Sequence, residues 1–229
     1  MIQRSLAKIL VSSAKQFPAI AIMGPRQSGK TTLAKAAFPS LPYRSLEELD
    51  VREFAATDPR RFLESLPNGA VLDEVQRVPE LLSYLQGVID LDRRPGRWVL
   101  TGSHQFHLHD HISQTLAGRI RILSLLPFDS GEWPARAEGK LALEKRLFAG
   151  AYPSVAVGRT EPRAWYDSYI QTYVERDVRA IKNIDQIHTF QKFIKLCAAR
   201  TGQMLNTSSL GVECGMTHNT VKSWIGILE

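Results

Sequence analysis

The chain has 229 residues, 44% hydrophobic and 23% charged, which is ordinary globular composition with room for one large domain and a small one. Its formal charge of +6 comes from 29 Lys and Arg spread along the sequence against 23 acids, so it allows a polyanionic partner without specifying one. Cys197 and Cys214 form no C-x-x-C unit, which argues against a disulfide scaffold or a structural zinc, and no apolar run approaches the ~20 residues of a membrane helix. Without a signal-peptide core at the N-terminus, the expectation is a cytoplasmic protein with no membrane partner.

Apolar residues at helical spacing (Ile2, Leu6, Ile9, Leu10) predict an amphipathic helix from Gln3 to Lys15. The run Ala19 to Met23 reads as a buried strand. It ends in Gly24-Pro25-Arg26-Gln27-Ser28-Gly29-Lys30-Thr31, which fits G-x-x-x-x-G-K-[ST] without a mismatch. In such a loop backbone N–H groups wrap a polyphosphate, Lys30 meets the β- and γ-phosphates, and the Thr31 hydroxyl ligates Mg²⁺. A helix opening with Thr31 and Thr32 and running to Phe38 adds its N-terminal dipole to the anion site. Arg26 and Gln27 lie outside the fixed positions of the pattern, and either solvent, a nucleotide or a neighbouring subunit could face them.

A short strand follows at Tyr43 to Leu46. Asp58-Pro59 makes an N-cap and first-turn pair for a helix to Leu66, and Asn68-Gly69 is a turn. Ala70-Val71-Leu72-Asp73-Glu74 then reads as a short buried strand ending in two carboxylates. Asp73 suits Mg²⁺ binding through water and Glu74 suits polarising the water that attacks a γ-phosphate, the two halves of a Walker-B element. An isolated Asp-Glu pair is also a common solvated strand end, and the upstream phosphate loop is what favours the catalytic reading.

Pro79 opens a helix over Glu80 to Leu91, Arg93 to Gly96 is a polar break, and Trp98 to Ser103 is a third apolar strand with a polar tip. Ser103 there is either a polar sensor near the γ-phosphate or a turn cap, with Thr101 as the secondary candidate. His104, His107, His109 and His111 crowd around Asp110. Only His107 and His111 have the i, i+4 spacing of helical zinc ligands, so adventitious metal affinity is the expectation there. Ile120 to Leu125 is a fourth apolar strand, preceded by Arg119, which is either a phosphoryl-transfer arginine acting within its subunit or on a neighbour, or a surface residue. Alternating strands and helices indicate a parallel α/β sheet whose strands end at one edge, where ligands sit.

Composition changes after Pro127. Asp129 to Gly139 reads as a linker, followed by helices at about Leu141 to Ala149 and Pro162 to Ile181 and an all-helical segment from Ile187. Asn206 or Thr207 caps one short helix, Gly215 makes a turn and Thr217 caps another, which is the form of a helix-turn-helix over about 206–228. Its second helix would present His218, Asn219 and Lys222, with Lys192, Lys195 and Arg200 nearby. DNA binding, protein contact and plain packing all fit that form.

Together these motifs resemble the prokaryotic AAA+ type P-loop ATPases that carry a C-terminal domain of unknown function. The resemblance rests on the Gly24 to Thr31 loop, Leu72-Asp73-Glu74-Val75-Gln76 with Pro79, Leu100 to Ser103, Leu116-Ala117-Gly118-Arg119 and Gly150-Ala151-Tyr152-Pro153. Glu175-Arg176-Asp177 and Leu205-Asn206 extend it, so it covers nearly the whole chain. It implies ATP binding and hydrolysis, with Lys30 and Thr31 as phosphate and Mg²⁺ ligands, Asp73 and Glu74 as Walker B, Ser103 as sensor and Arg119 as an arginine sensor or finger. Gln76 matches the family's Asp-Glu-x-Gln. A winged-helix element is also implied, and since such proteins continue well past Leu228-Glu229, the C-terminal domain is expected to be cut short.

The expectation is thus an α/β P-loop NTPase domain over 1–128 with a mostly parallel sheet flanked by helices. A linker spans 129–139, and a smaller all-helical domain with the helix-turn-helix spans 140–229. The function expected is a Mg²⁺-dependent ATPase that couples nucleotide state to the C-terminal domain. The alternatives are a nucleotide-sensing DNA-binding switch with little hydrolysis and a truncated inactive family member, with a homo-oligomer or protein partner left open.

Overall fold

Side-chain alternation along the central strands builds two cores on the two faces of one sheet. Along β1 (Ala19–Gly24), Ala19, Ala21 and Met23 enter one core while Ile20 and Ile22 enter the other. In β3 (Ala70–Asp73) Leu72 opposes Val71, and in β4 (Trp98–Ser103) Trp98 and Leu100 oppose Val99. Burial on both faces explains why these strands read as continuous apolar runs.

The computed structural model describes residues 2–103, 112, 114–133, 143–174 and 187–228. With β2 (Tyr43–Ser45) and β5 (Ile120–Ser124), the strands form a five-stranded sheet in the order β2-β3-β4-β1-β5, and all four pairings are parallel. The C-terminal ends of β1, β3 and β4 therefore share one edge. Ser103 stands level with Gly24 and Leu100 with Leu72, so the tips that carry the motifs adjoin.

One face is covered by α1 (Leu6–Ser13) and α2 (Lys30–Ala37), which bring Leu10, Leu33 and Ala34 onto the sheet. On the other face lie α3 (Leu49–Thr57), α4 (Pro59–Glu64) and α5 (Leu81–Leu91), contributing Ala55, Phe62, Leu63, Leu81, Leu85 and Ile89. Asp58 caps α4 by accepting from the Arg61 N–H at 3.0 Å. The sequence reading has no counterpart to α3, whose single fully buried residue, Ala55, leaves too weak an apolar stripe to register.

Contacts divide the chain into two compact units, Met1–Pro162 and Arg163–Glu229. The first unit ends with α6 (Leu143–Ala149) and α7 (Pro153–Ala156), and the Phe128 N–H donates to the Ala151 carbonyl at 2.9 Å. Asp129 to Trp133, the described part of the segment read as a linker, also packs in this unit, where buried Glu132 pairs with Arg4 at 2.9 Å.

In the second unit, α8 (Pro162–Tyr169) runs into a π-turn at Ile170–Val174, and α9 (Ile187–Ala199), α10 (Thr207–Cys214) and α11 (His218–Leu228) follow. Phe190, Phe193, Leu210, Cys214, Val221 and Trp224 form its core, with both phenyl rings edge-on to Trp224. Asn206 caps α10 by accepting from the Ser209 N–H, Gly215 turns the chain at φ 71°, and Thr217 accepts from the Thr220 N–H. His218, Asn219 and Lys222 are exposed on α11. The Lys192 ammonium donates to the Glu213 carbonyl and the Arg200 guanidinium to the Glu213 carboxylate, so two of the nearby cations are engaged within the unit.

Candidate nucleotide-binding site

The loop from Gly24 to Gly29 leaves the tip of β1 and enters α2 at Lys30. Only glycine fits at position 24, because a Cβ there would lie 2.1 Å from the Leu125 carbonyl oxygen on the segment after β5. Gln27 adopts φ 61° and Gly29 φ 96°, bending the loop around the N-terminus of α2. Lys30 is buried, and its ammonium donates to the Gly24 and Pro25 carbonyls at 3.0 and 2.9 Å, which keeps it inside the loop. Burial pushes this ammonium below its ordinary value of 10.5, while Glu74 and Asp73 push it up and Arg26 pushes it down.

Asp73, buried at the tip of β3, collects three hydroxyl donors. Thr31 reaches it at 2.9 and 3.1 Å, Tyr43 at 2.7 Å, and Thr101 also donates to it. Burial and this bond push the Tyr43 phenol upward, so it stays protonated and donates. Thr101 also accepts from the Glu74 N–H at 3.3 Å, which ties β4 to the residue after β3. The secondary sensor candidate is therefore occupied with the Asp73 carboxylate and the Glu74 backbone.

Glu74 was expected on the strand with Asp73 but lies just beyond it, in the left-handed region at φ 59°, ψ 48°, before the 3₁₀ turn Val75–Arg77. The turn swings Gln76 back. Its side-chain NH₂ donates both to the Glu74 carboxylate and to the Ser103 hydroxyl oxygen, the latter at 3.0 Å. Gln76 thus links the carboxylate and hydroxyl read as base and sensor, a role that sequence spacing did not reveal. Its Oε1 is buried and has no hydrogen-bond partner among the described residues.

A cleft of about 1140 Å³ opens over this edge. Lys30, Thr31, Thr32, Gln27 and Glu74 line its polar end, and Ile2, Ala7, Val11, Leu33, Ala36 and Ala37 supply apolar wall. Pro153, Ser154 and Arg159, from the segment around α7, also line it, as do Arg4, Gly29 and Phe128. Sequence reasoning missed this wall, since no spacing links residues so far apart in the chain.

Arg119 is not brought to the cleft. Its carbonyl accepts from the N–H of Ala19, the first residue of β1, which places it at the opposite edge of the sheet from Gly24. Five residue steps of strand separate the two edges there, about 17 Å. The guanidinium instead pairs with Asp90 through two 2.8 Å bonds and donates to the Ala117 carbonyl. In this position Arg119 is held away from the phosphate loop of its own chain. The histidine cluster from His104 to His111 lies outside the described residues, and among the described residues no group of three or more His, Cys, Asp or Glu could hold a metal ion. Likewise, no described helix is long and apolar enough to cross a membrane.

A parallel sheet with a Gly-Lys-Thr loop at the end of the interior strand β1, facing a buried aspartate on a nearby strand, defines a P-loop nucleotide-binding fold of the AAA type. The chain belongs to the AAA domain family, which it matches over residues 16–133, and residues 140–229 match a domain of unknown function, DUF8612. It is 28% identical over 229 residues to Uncharacterized protein Mb2031c of Mycobacterium bovis and, equally, to Uncharacterized protein Rv2008c of Mycobacterium tuberculosis. The alignments cover 99% of this chain and 51% of each relative, so the chain spans about half their length. Among solved structures it is similar to the Walker-type ATPase PABY2304 of Pyrococcus abyssi, with a TM-score of 0.56 and 14% identity over 99% of this chain and 89% of that one. That likeness concerns the fold.

Proposed function

We propose that this chain binds ATP at the Gly24–Thr32 loop and hydrolyses it to ADP and phosphate, with its helical C-terminal domain responding to nucleotide state. The observation that carries this reading is the convergence of Lys30, Thr31, Asp73, Glu74, Gln76 and Ser103 at one sheet edge, where Thr31 donates to Asp73, Gln76 to Glu74 and Ser103, and Lys30 to the loop's own carbonyls. The loop's N–H groups and Lys30 bind the phosphates, and the lysine exchanges its carbonyl partners for phosphate oxygens. Glu74 accepts a proton from the attacking water, and Ser103, whose oxygen already accepts from Gln76, retains its own O–H to donate toward the γ-phosphate.

The site also suits Mg²⁺. Thr31 and Asp73 present hard oxygens 2.9 Å apart, and the ion they would hold supplies charge neutralisation at the β- and γ-phosphates. Phosphate release from wild type, Lys30→Ala and Glu74→Gln tests the proposal. Turnover disappears in both variants and ATP binding survives in Glu74→Gln; equal rates in all three sink it.

A second reading, duplex DNA binding by α10 and α11, draws on the exposed His218, Asn219 and Lys222. The engagement of Lys192 and Arg200 with Glu213 thins its basic support. Duplex binding that weakens steeply with salt supports it, and salt-insensitive or undetectable binding rejects it.

A further inference from the structure

Arg4, a residue no motif marks, is buried beside the phosphate loop and spends its planar guanidinium on three acceptors. Nη1 donates to the Ser28 carbonyl at 2.7 Å, Nη2 to the Leu126 carbonyl at 2.6 Å, and Nε to Glu132 at 2.9 Å. The same group lies over the Phe128 ring at 4.8 Å. Glu132 is in turn fixed by the N–H groups of Ser5 and Asp129. Arg4 therefore ties the N-terminal segment, the strap from Leu126 to Glu132 and the phosphate loop into one buried cluster.

Its bond to Ser28 has a directional consequence. A trans peptide sets the C=O of one residue and the N–H of the next on opposite sides of its plane. With the Ser28 carbonyl drawn to Arg4, the Gly29 N–H must turn away from it. Gly29 holds φ 96°, a conformation that favours glycine, and a Cβ there would lie 3.3 Å from Nη1, a tight but not forbidden approach. We propose that Arg4 is a positioning residue that aims the Gly29 N–H at the bound polyphosphate and, through Glu132, makes loop geometry depend on the 126–132 strap.

This inference rests on the proposed nucleotide site, and its test separates the two. Calorimetry with tripolyphosphate and ATP is run on wild type, Arg4→Lys and Glu132→Gln, with thermal melts as the folding control. The Gly29 amide resonance is followed in ¹⁵N-labelled protein. Lysine keeps the charge but cannot serve three divergent acceptors. Arg4→Lys is expected to bind both ligands at least tenfold more weakly and to show a diminished Gly29 amide shift on tripolyphosphate addition. If Arg4→Lys does not fold, Glu132→Gln is expected to give a smaller loss in the same direction. Wild-type affinity and an unchanged Gly29 shift in whichever variant folds overturn the inference. Failure of wild type to bind either ligand overturns the nucleotide site itself.

Discussion

Gln27 and Glu74 are the two non-glycine residues with positive φ among those described, and both line the cleft of the candidate site. Such conformations cost on the order of 1–3 kcal/mol each and persist where surrounding contacts enforce them. For Glu74 those contacts are the Thr101 hydroxyl on its N–H and the Gln76 amide on its carboxylate. Gln76→Ala is expected to lower turnover about tenfold with little change in the KM for ATP, because it unfastens base and sensor without touching the phosphate loop; steady-state kinetics separates the two effects. Lys30 gives a pH prediction. Its ammonium is depressed in the free protein and regains its proton affinity beside phosphate, so between the depressed value and the ordinary 10.5 the complex holds more protons than the free protein. ATP affinity therefore falls as pH rises through that window, and binding enthalpies in buffers of different ionisation heat will show proton uptake.

At the level of elements, strands were more legible than helices. β1, β3 and β4 are buried on both faces and announce themselves as short apolar runs, whereas α3 buries one residue fully and carries no readable stripe. The expected first helix, Gln3 to Lys15, is realised over Leu6–Ser13, and Arg4, ahead of it, reaches Ser28, Leu126 and Glu132. Caps written as local signals survived: Asp58 at α4 and Asn206 at α10 make the expected bonds. Asp58→Ala should cost about 1 kcal/mol in chemical denaturation without altering ATP affinity. Arg119→Ala should leave ATP affinity within twofold, since the residue precedes β5 at the opposite edge of the sheet; calorimetry on the variant measures this.

For the whole molecule, two compact units with separate cores predict separable responses to ligand. ATP with Mg²⁺ at about 100 times its Kd should stabilise the unit that binds it by about 2.7 kcal/mol. Trp98 reports on that unit, and Trp165 and Trp224 report on the helical one. Single-tryptophan variants melted with and without ATP will show whether the helical unit shares the shift, which coupling requires. The sequence by itself determined the alternating strands and helices of the α/β class, the Gly-Lys-Thr loop after β1 and the buried strand that ends at Asp73, because each is written in contiguous residues. Only the tertiary structure decided that Gln76 bridges Glu74 to Ser103, that Arg119 lies away from the cleft, and that Arg4 reaches Glu132, 128 residues on. Those relations depend on strand order and on where a chain turn sends a side chain, and no spacing along the sequence encodes either.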